Sequence, residues 1–282
     1  MTTKQSRTII TYLVEGTPNG IRTIELSNWI GKGVCIPRAK LKEASNRTEL
    51  QSPGLYFLVG GEKQGVPSVY IGEAENLSKR IFQHEKKDFW NLAICFSSKD
   101  QALTKADVKF LESRAVKLAA EAGQFELKNS MNPVPNNLPE YQEASMEEFL
   151  ANSRLLISAL GFPVMESLIE SEEKDSASYS IQTKDAVAHG IYNENGLVVL
   201  KGSTVCKEFT RSCPDNIKAL RSKLLDQGIL VKNAKGIEFS RDHAFSSPST
   251  AAAIVCGASK NGWVTWKNQS GKTLDEIVRS KA

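Results

Sequence analysis

Hydrophobic and polar residues alternate over short stretches near position 60, which predicts a pair of β-strands. Residues 54–59 (GLYFLV) place three large apolar side chains on one face and Tyr56 and Leu58 on the other. The turn-rich segment 60–67 separates them from a second apolar stretch at 69–71. The two stretches are typical of an antiparallel hairpin.

The next segments alternate between helix and strand signals. Asn76 is a good N-cap for a helix to about Lys87, and residues 92–96 form a third strand. Residues 104–107 resemble a capping box that opens a helix with a regular apolar stripe, and Gly123 ends it. The order strand, strand, helix, strand, helix predicts a compact α/β (α+β) layer: a small three-stranded sheet, mixed or antiparallel, flanked by helices.

Outside this layer the pattern predicts three further segments. Residues 1–50 are a lead segment packed on the domain at 51–132. Within it, residues 21–41 form a strand or extended arm ending in three alternate basic residues, Arg38, Lys40 and Lys42. Residues 133–185 form a connector, with a helix at 147–160 and a serine-rich acidic linker at 167–184. Residues 186–282 form a small α+β domain.

The C-terminal domain shows four local signals. They are a hairpin-like pattern over 190–205, a helix near 214–227, a short helix near 248–256 and, at Asn261-Gly262, a tight turn.

Charge follows the same division. Residues 1–132 carry 19 Lys/Arg against 14 Asp/Glu, a net charge of +5. The connector carries 3 against 10, and residues 186–282 carry 14 against 8, net charges of −7 and +6. Each basic module is suited to a polyanion, although the excess is mild.

Cysteine usage and hydropathy favour a cytoplasmic protein without a membrane span. The five cysteines are odd in number and form no CxxC pair, which fits neither a disulfide framework nor a zinc knuckle. No apolar run approaches the roughly 18 residues of a spanning helix.

Four polar side chains in the first domain are candidates for chemistry. Tyr56 and Tyr70 each occupy an otherwise aliphatic strand, and their hydroxyl groups would meet if the register places them side by side. Arg80 and His84 are four residues apart and share one helical face. A guanidinium suits a phosphate, and an imidazole can hold a proton near neutral pH. The alternative interpretation is purely structural: the tyrosines pack as strand residues commonly do, and Arg80 and His84 lie on a solvated helix face.

Glu112 is the most informative position. It shares or borders the core-facing stripe of the second helix, where an ionised carboxylate is costly unless a cation or hydrogen bonds compensate. Mg²⁺ would be one such cation, and an ion pair with Arg80 or Arg114 would be another solution.

These positions together resemble the GIY-YIG nuclease family. Gly54-Leu-Tyr56 corresponds to the first element, with Leu in place of Ile, and Tyr70-Ile-Gly72 to the second. Arg80, Glu112 and Asn129 follow in order. The similarity covers roughly residues 50–132 and extends to Trp90 and to residues 103–105 and 111–114. Upstream, residues 24–41 also look like the lead segment of one bacterial branch of the family. Glu73 departs from the small or basic residue of many members.

The resemblance implies phosphodiester hydrolysis with a single divalent metal, Mg²⁺ or Mn²⁺, held by Glu112. Arg80 would hold a non-bridging phosphate oxygen, and Tyr56, with Tyr70 beside it, would orient or deprotonate the attacking water. A tyrosine near its ordinary pKa of about 10 is a poor base, so we assign His84 as its helper.

Further residues are expected to contact DNA. Gly72 would let backbone approach the site, and Lys79 and Asn129 would bind the substrate.

From about residue 228 the chain resembles a small domain of unassigned function that often follows such nuclease domains. There Trp263 and Trp266, beside Lys267, could stack a base and bind its backbone, or could form a two-tryptophan core.

The expected function is a metal-dependent endonuclease of restriction, defence or repair type that acts on double-stranded or branched DNA. Cutting both strands would require two visits or two sites, as in a homodimer. The alternative is a nucleic-acid-binding module that keeps the nuclease fold without its chemistry.

Overall fold

The computed structural model describes residues 6–63, 66–131, 133–134, 136–169, 178–234 and 236–280. The chain divides into two compact units, residues 1–166 and 167–282. Both units combine helices with β-sheet, so the protein is mixed α and β.

The N-terminal unit is a seven-stranded sheet with helices on both faces. Its strands are β1 (Ile9–Leu13), β2 (Arg22–Leu26), β3 (Gly31–Pro37), β4 (Gly54–Lys63), β5 (Val66–Ala74), β6 (Leu92–Ser98) and β7 (Glu126–Leu127). Its α-helices are α1 (Leu41–Ala44), α2 (Leu77–Gln83), α3 (Lys105–Ala122) and α4 (Glu140–Ala159), with 3₁₀ turns at Arg38–Lys40 and Thr48–Leu50.

Strand order in this sheet is β1-β2-β3-β6-β4-β5-β7, and every pairing is antiparallel except β5 with β7. The three strands predicted from the pattern are therefore neighbours, but the sheet has seven strands instead of three. The predicted hairpin is present as β4 and β5, and β4 lies between β5 and β6.

The alternating pattern of β4 builds two cores, one on each face of the sheet. Leu55, Phe57 and Val59 pack in the core beneath α3 and α4, whereas Tyr56 and Leu58 pack in the core beneath α1 and α2. This is the two-face arrangement that the period-two pattern predicted.

The lead segment and residues 133–166 of the connector are parts of the N-terminal unit, whereas the rest of the connector belongs to the C-terminal unit. Residues 21–41 supply β2 and β3, and β3 pairs with β6 over seven residues, so the segment is interior to the sheet instead of an arm beside it. The helix predicted at 147–160 begins earlier, at Glu140, and its Phe149 and Leu156 are buried in the core shared with α3.

Local chemistry sets the ends of α3. Thr104 accepts from the backbone N–H of Asp107, whose carboxylate accepts from the backbone N–H of Thr104, which is the predicted capping box. Gly123 ends the helix with a φ of 63°, a left-handed conformation that favours glycine. In contrast, α2 ends at Gln83, earlier than the predicted Lys87.

The C-terminal unit has a five-stranded sheet, order β14-β10-β9-β8-β15, and a three-stranded sheet, order β11-β13-β12. The strands are β8 (Ser178–Gln182), β9 (Val187–Asn193), β10 (Gly196–Val199), β11 (Thr204–Val205), β12 (Leu230–Asn233), β13 (Gly236–Phe239), β14 (His243–Phe245) and β15 (Lys267–Asn268). The helices are α5 (Asp215–Asp226), α6 (Pro248–Cys256), α7 (Gly262–Thr265) and α8 (Leu274–Val278).

Predictions for this unit were largely local and largely right. Helices occur at α5 and α6, and β9 and β10 form the hairpin. The tight turn predicted at Asn261-Gly262 is instead the start of α7, because the Asn261 side chain accepts from the Trp263 backbone N–H as an N-cap. Of the predicted acidic linker at 167–184, residues 170–177 lie outside the described residues, and residues 178–182 form the strand β8 instead of a linker. No helix in the described residues has the length and apolar character needed to cross a bilayer.

Candidate functional site

Tyr56 lies at the centre of the candidate site. It is in β4 opposite Gly72, and its ring has no exposed surface. A Cβ atom at Gly72 would lie 2.5 Å from both Cζ and Oη of Tyr56. Gly72 therefore makes room for the phenol ring of Tyr56 on the neighbouring strand. The space beside Gly72 that was predicted to admit a DNA backbone is filled by this ring.

His84 is the hydrogen-bond partner of Tyr56. Its Nε2 atom is 3.0 Å from the Tyr56 hydroxyl oxygen, and the imidazole is buried. Burial, assisted by the charges of Lys87 and Arg80, lowers the pKa of His84 from 6.5 to about 4. The ring is therefore neutral at pH 7, and in the tautomer with its proton on Nδ1 the Nε2 atom can accept the phenol proton.

Tyr70 completes a cluster of three rings. It lies opposite Leu58 in the register, so the two tyrosines are diagonal neighbours instead of directly opposite each other. Its ring centroid is 6.0 Å from that of Tyr56 and 5.0 Å from that of His84. The sequence proposal that the phenols and the imidazole meet is confirmed in this form.

The protonation state of Tyr56 follows from its surroundings. Burial first, and then Tyr70, raises the pKa of Tyr56 well above its ordinary value, while Arg80 acts in the opposite direction. Tyr56 therefore keeps its proton at neutral pH, and it can act as a base only by passing a proton on to a partner.

Arg80 is exposed on α2 and lies between the rings and an open cleft. It interacts with the hydroxyl groups of both Tyr56 and Tyr70, and its Nη1 atom donates to Gln83 Oε1 at 2.8 Å. The cleft has a volume of about 420 Å³. Seven of its eight lining residues are polar or charged; the eight are Glu73, Ala74, Glu75, Asn76, Lys79, Arg80, Gln83 and Lys105. Lys79, predicted to bind DNA, is exposed in this lining.

Glu112 is half-buried on α3, next to the end of β5. Burial, and then the charge of Glu73, raises the pKa of Glu112, whereas the Glu73 backbone N–H, Arg80 and Lys105 lower it. Neither predicted ion pair is formed, since Arg114 pairs with Glu147 and Arg80 acts on Glu112 only through its charge. The negative charge of the Glu112 carboxylate therefore has no ion-pair partner among the described residues. A bound divalent cation would lower the cost of burying this charge.

Glu73 is held by Lys105, a pairing that the sequence did not reveal. The Lys105 ammonium is 3.0 Å from Oε1 and 3.1 Å from Oε2 of Glu73. The two residues are 32 positions apart, so only the fold brings them together. Lys105 neutralises the acid that departs from the family pattern, and both side chains line the cleft.

Two carboxylates, Glu112 and Glu73, interact at this end of the site. Among the described residues no group of three or more His, Cys, Asp or Glu side chains could hold a metal ion. Mg²⁺ is commonly held by one or two carboxylates and completed by water and phosphate oxygens. Glu112 is such a donor, whereas both carboxylate oxygens of Glu73 are paired with Lys105.

Asn129 follows β7 and is bound to the backbone of the second motif. Its Oδ1 atom accepts from the Ile71 N–H at 3.1 Å, and its Nδ2 atom donates to the Ile71 carbonyl at 2.7 Å. Both polar groups of the Asn129 amide are bonded to the backbone of β5. A contact between Asn129 and DNA stays a prediction.

The two tryptophans of the C-terminal unit differ in environment. Trp266 has no exposed surface and donates its indole N–H to the Pro248 carbonyl at 3.2 Å, so the prediction that it stacks on a base is wrong and it is a core residue. Trp263 is half-buried between Tyr192 and Arg279, whose guanidinium carbon is 3.7 Å from the ring centroid. Lys267 is exposed on β15.

The comparisons concern the C-terminal unit. Residues 179–278 match the model of a family described as Domain of unknown function (DUF4357). The matched segment begins well before residue 228, where the sequence resemblance was placed. No curated protein and no solved structure matches the chain.

Proposed function

We propose that the chain is a metal-dependent DNA endonuclease whose N-terminal unit is a GIY-YIG-type catalytic domain. The observation that carries the proposal is the buried Tyr56–His84 hydrogen bond, which couples a phenol to a neutral imidazole beside a cleft lined by Arg80. A phenol paired with a base able to accept its proton is the arrangement that activates a water nucleophile.

The proton path begins at the attacking water. Tyr56 takes a proton from the water while it gives its own proton to Nε2 of His84, and the water oxygen bonds to phosphorus as the leaving oxygen departs. Neutral His84 and protonated Tyr56 at pH 7 are the states that this relay needs. Tyr70, whose ring lies beside both, limits the rotation of the two groups.

Arg80 binds the scissile phosphate in this proposal. Its guanidinium is exposed on the cleft and interacts with both phenols. A phosphate that draws Arg80 towards the cleft uncovers the Tyr56 hydroxyl, which explains how a buried phenol reaches a water. Charge-assisted hydrogen bonds to the phosphate oxygens strengthen as negative charge develops on them.

Glu112 would hold Mg²⁺ or Mn²⁺, with water and phosphate oxygens completing the coordination. The bound cation would supply stabilisation of the leaving oxygen and of the charge on the phosphoryl group. Lys105 keeps Glu73 paired and directed along the cleft.

A test is cleavage of supercoiled plasmid by the purified full chain with Mg²⁺, with Mn²⁺ and with EDTA. Glu112→Gln and Tyr56→Phe are each expected to reduce the cleavage rate by a factor of about 100 or more. Glu121→Gln is the matched control, because Glu121 is an exposed carboxylate on the same helix. Equal cleavage by wild type and Glu112→Gln would refute the proposal and indicate a contaminating nuclease.

The second candidate is a DNA-binding module without catalysis, which the complete burial of Tyr56 favours. It predicts retained binding but no cleavage of plasmid, linear, branched or methylated DNA in any metal. Restriction, defence and repair substrates are separated by the same series of DNAs.

A further inference from the structure

We propose that Trp90 and Arg38 form a clamp that holds His84 in place against Tyr56. Both are positioning residues, because they act on the main chain around His84 and do not touch the cleft lining. Their catalytic meaning rests on the proposed function, whereas the clamp itself is a property of the folded chain.

Trp90 fixes the main chain of His84. Its side chain is 2 % exposed, and its indole Nε1 donates to the His84 carbonyl at 2.9 Å in a buried hydrogen bond. His84 is the residue directly after α2, and its own N–H still bonds to the Ile81 carbonyl at 2.9 Å. Both peptide groups of His84 are thereby tied, so its Cα has a defined position at the helix end.

Arg38 holds the turn that carries Trp90. Its guanidinium carbon is 5.5 Å from the centroid of the Trp90 ring, and its Nη2 donates to the Glu85 carbonyl at 2.6 Å. Nη1 reaches the Trp90 carbonyl at 3.4 Å, and Nη2 also bonds to Asp88 Oδ1 at 2.9 Å. One guanidinium therefore joins both ends of the turn 85–90. Lys cannot reproduce this, since its ammonium lacks the planar fork.

The imidazole has one hydrogen bond, from Nε2 to Tyr56, and no second one within the described part of the chain to fix its orientation. The Nδ1 atom of His84 is buried and has no hydrogen-bond partner among the described residues. In many nucleophile–base pairs a third polar group bonds to the far nitrogen of the histidine and fixes the ring. Here that atom is unpaired, and the main-chain clamp takes over the orienting role.

The test is a pH titration of His84 in the full chain without DNA, monitored by NMR of the imidazole ring protons. The chain has three histidines, so the signal that disappears in His84→Gln identifies the residue. The variants are Arg38→Ala, Arg38→Lys and Trp90→Phe, with Lys40→Ala as the control. Lys40 is a neighbouring cation that pairs with Glu15 and Glu43 instead of the turn.

We expect Arg38→Ala and Trp90→Phe to let the ring reach solvent, so that its protonation midpoint rises by about one pH unit or more, a tenfold change in proton affinity. Arg38→Lys should shift it in the same direction by less, and Lys40→Ala should not shift it. In cleavage assays the clamp variants should lower kcat with little change in KM.

An unchanged His84 midpoint in Trp90→Phe and Arg38→Lys, with a lowered melting temperature, would overturn the proposal and leave the clamp a stabilising contact only. Arg38→Lys and Trp90→Phe keep the test decisive if Arg38→Ala does not fold. A shifted midpoint in a protein that cleaves no DNA would support the clamp and separately defeat the nuclease proposal.

Discussion

Folding stability should fall as the pH is lowered from about 7 to 5, in part because of His84. Burial lowers the pKa of His84 to about 4 in the folded chain, against its ordinary value of 6.5. The unfolded chain therefore takes up a proton first, and stability is lost as the pH falls from 6.5 towards 4. Between about pH 7 and pH 5 this contribution is ~2 kcal/mol.

Urea unfolding at both pH values, at constant ionic strength, measures the effect in wild type and in His84→Gln. Burial also lowers the pKa of His243 to about 4, but that contribution is common to both proteins and cancels in the comparison. We expect wild type to lose about 2 kcal/mol more than His84→Gln over this interval.

Parallel pH dependences of the two proteins would refute the reasoning. They would mean that His84 takes up its proton as readily in the folded chain as in the unfolded one. The neutral imidazole required by the proton relay would then not be stabilised by the fold.

Three further changes have defined outcomes. Gly72→Ala places a Cβ 2.5 Å from the Tyr56 hydroxyl and should lower the free energy of unfolding, measured in urea, by about 1–3 kcal/mol. In Gly61→Ala the new Cβ would have no heavy atom within 4 Å, so this control should show no loss of stability from a steric clash. Trp266→Phe removes the indole N–H that bonds to the Pro248 carbonyl and leaves part of a buried site empty, so it should lower the unfolding free energy by about 1–3 kcal/mol. It should not weaken DNA binding by the folded protein, measured by fluorescence anisotropy. Arg221→Met should lower the melting temperature of the C-terminal unit, because this 2 % exposed guanidinium donates to two backbone carbonyls; an unchanged calorimetric transition would contradict this.

Elements whose ends are set by nearby residues were predictable from the sequence. The helix α3 begins and ends where Thr104 and Gly123 indicate, since both signals are local. The helix α2 was predicted too long, because residues 84–87 continue only as turns, in which the Glu85 N–H bonds to Phe82 and the Lys87 N–H to His84. The His84 carbonyl also accepts from the indole of Trp90, which lies outside the helix, so the helix sequence does not indicate this contact.

Pairings between distant segments were not predictable. β3 joins β6 across more than fifty residues, so no local period identifies the partner and the lead segment was not recognised as interior. The Tyr56–His84 pair was anticipated from the family resemblance together with the position of His84 on the helix, whereas the Glu73–Lys105 pair was not, since charge alone does not select a partner. Trp263 and Trp266 look alike in sequence, and only packing decides which of them is fully buried.

The side chain of Asn129 has a consequence for how opening of the site could be observed. The strand β7 pairs with β5 through only two residues. Past its end, the Asn129 side-chain amide bonds to the N–H and the carbonyl of Ile71, as a peptide group of a longer strand would. The Ile71 amide hydrogen is thus protected by a single side chain in the middle of the second motif. Its exchange with deuterated solvent should report detachment of residues 126–129 from β5 before the sheet itself opens.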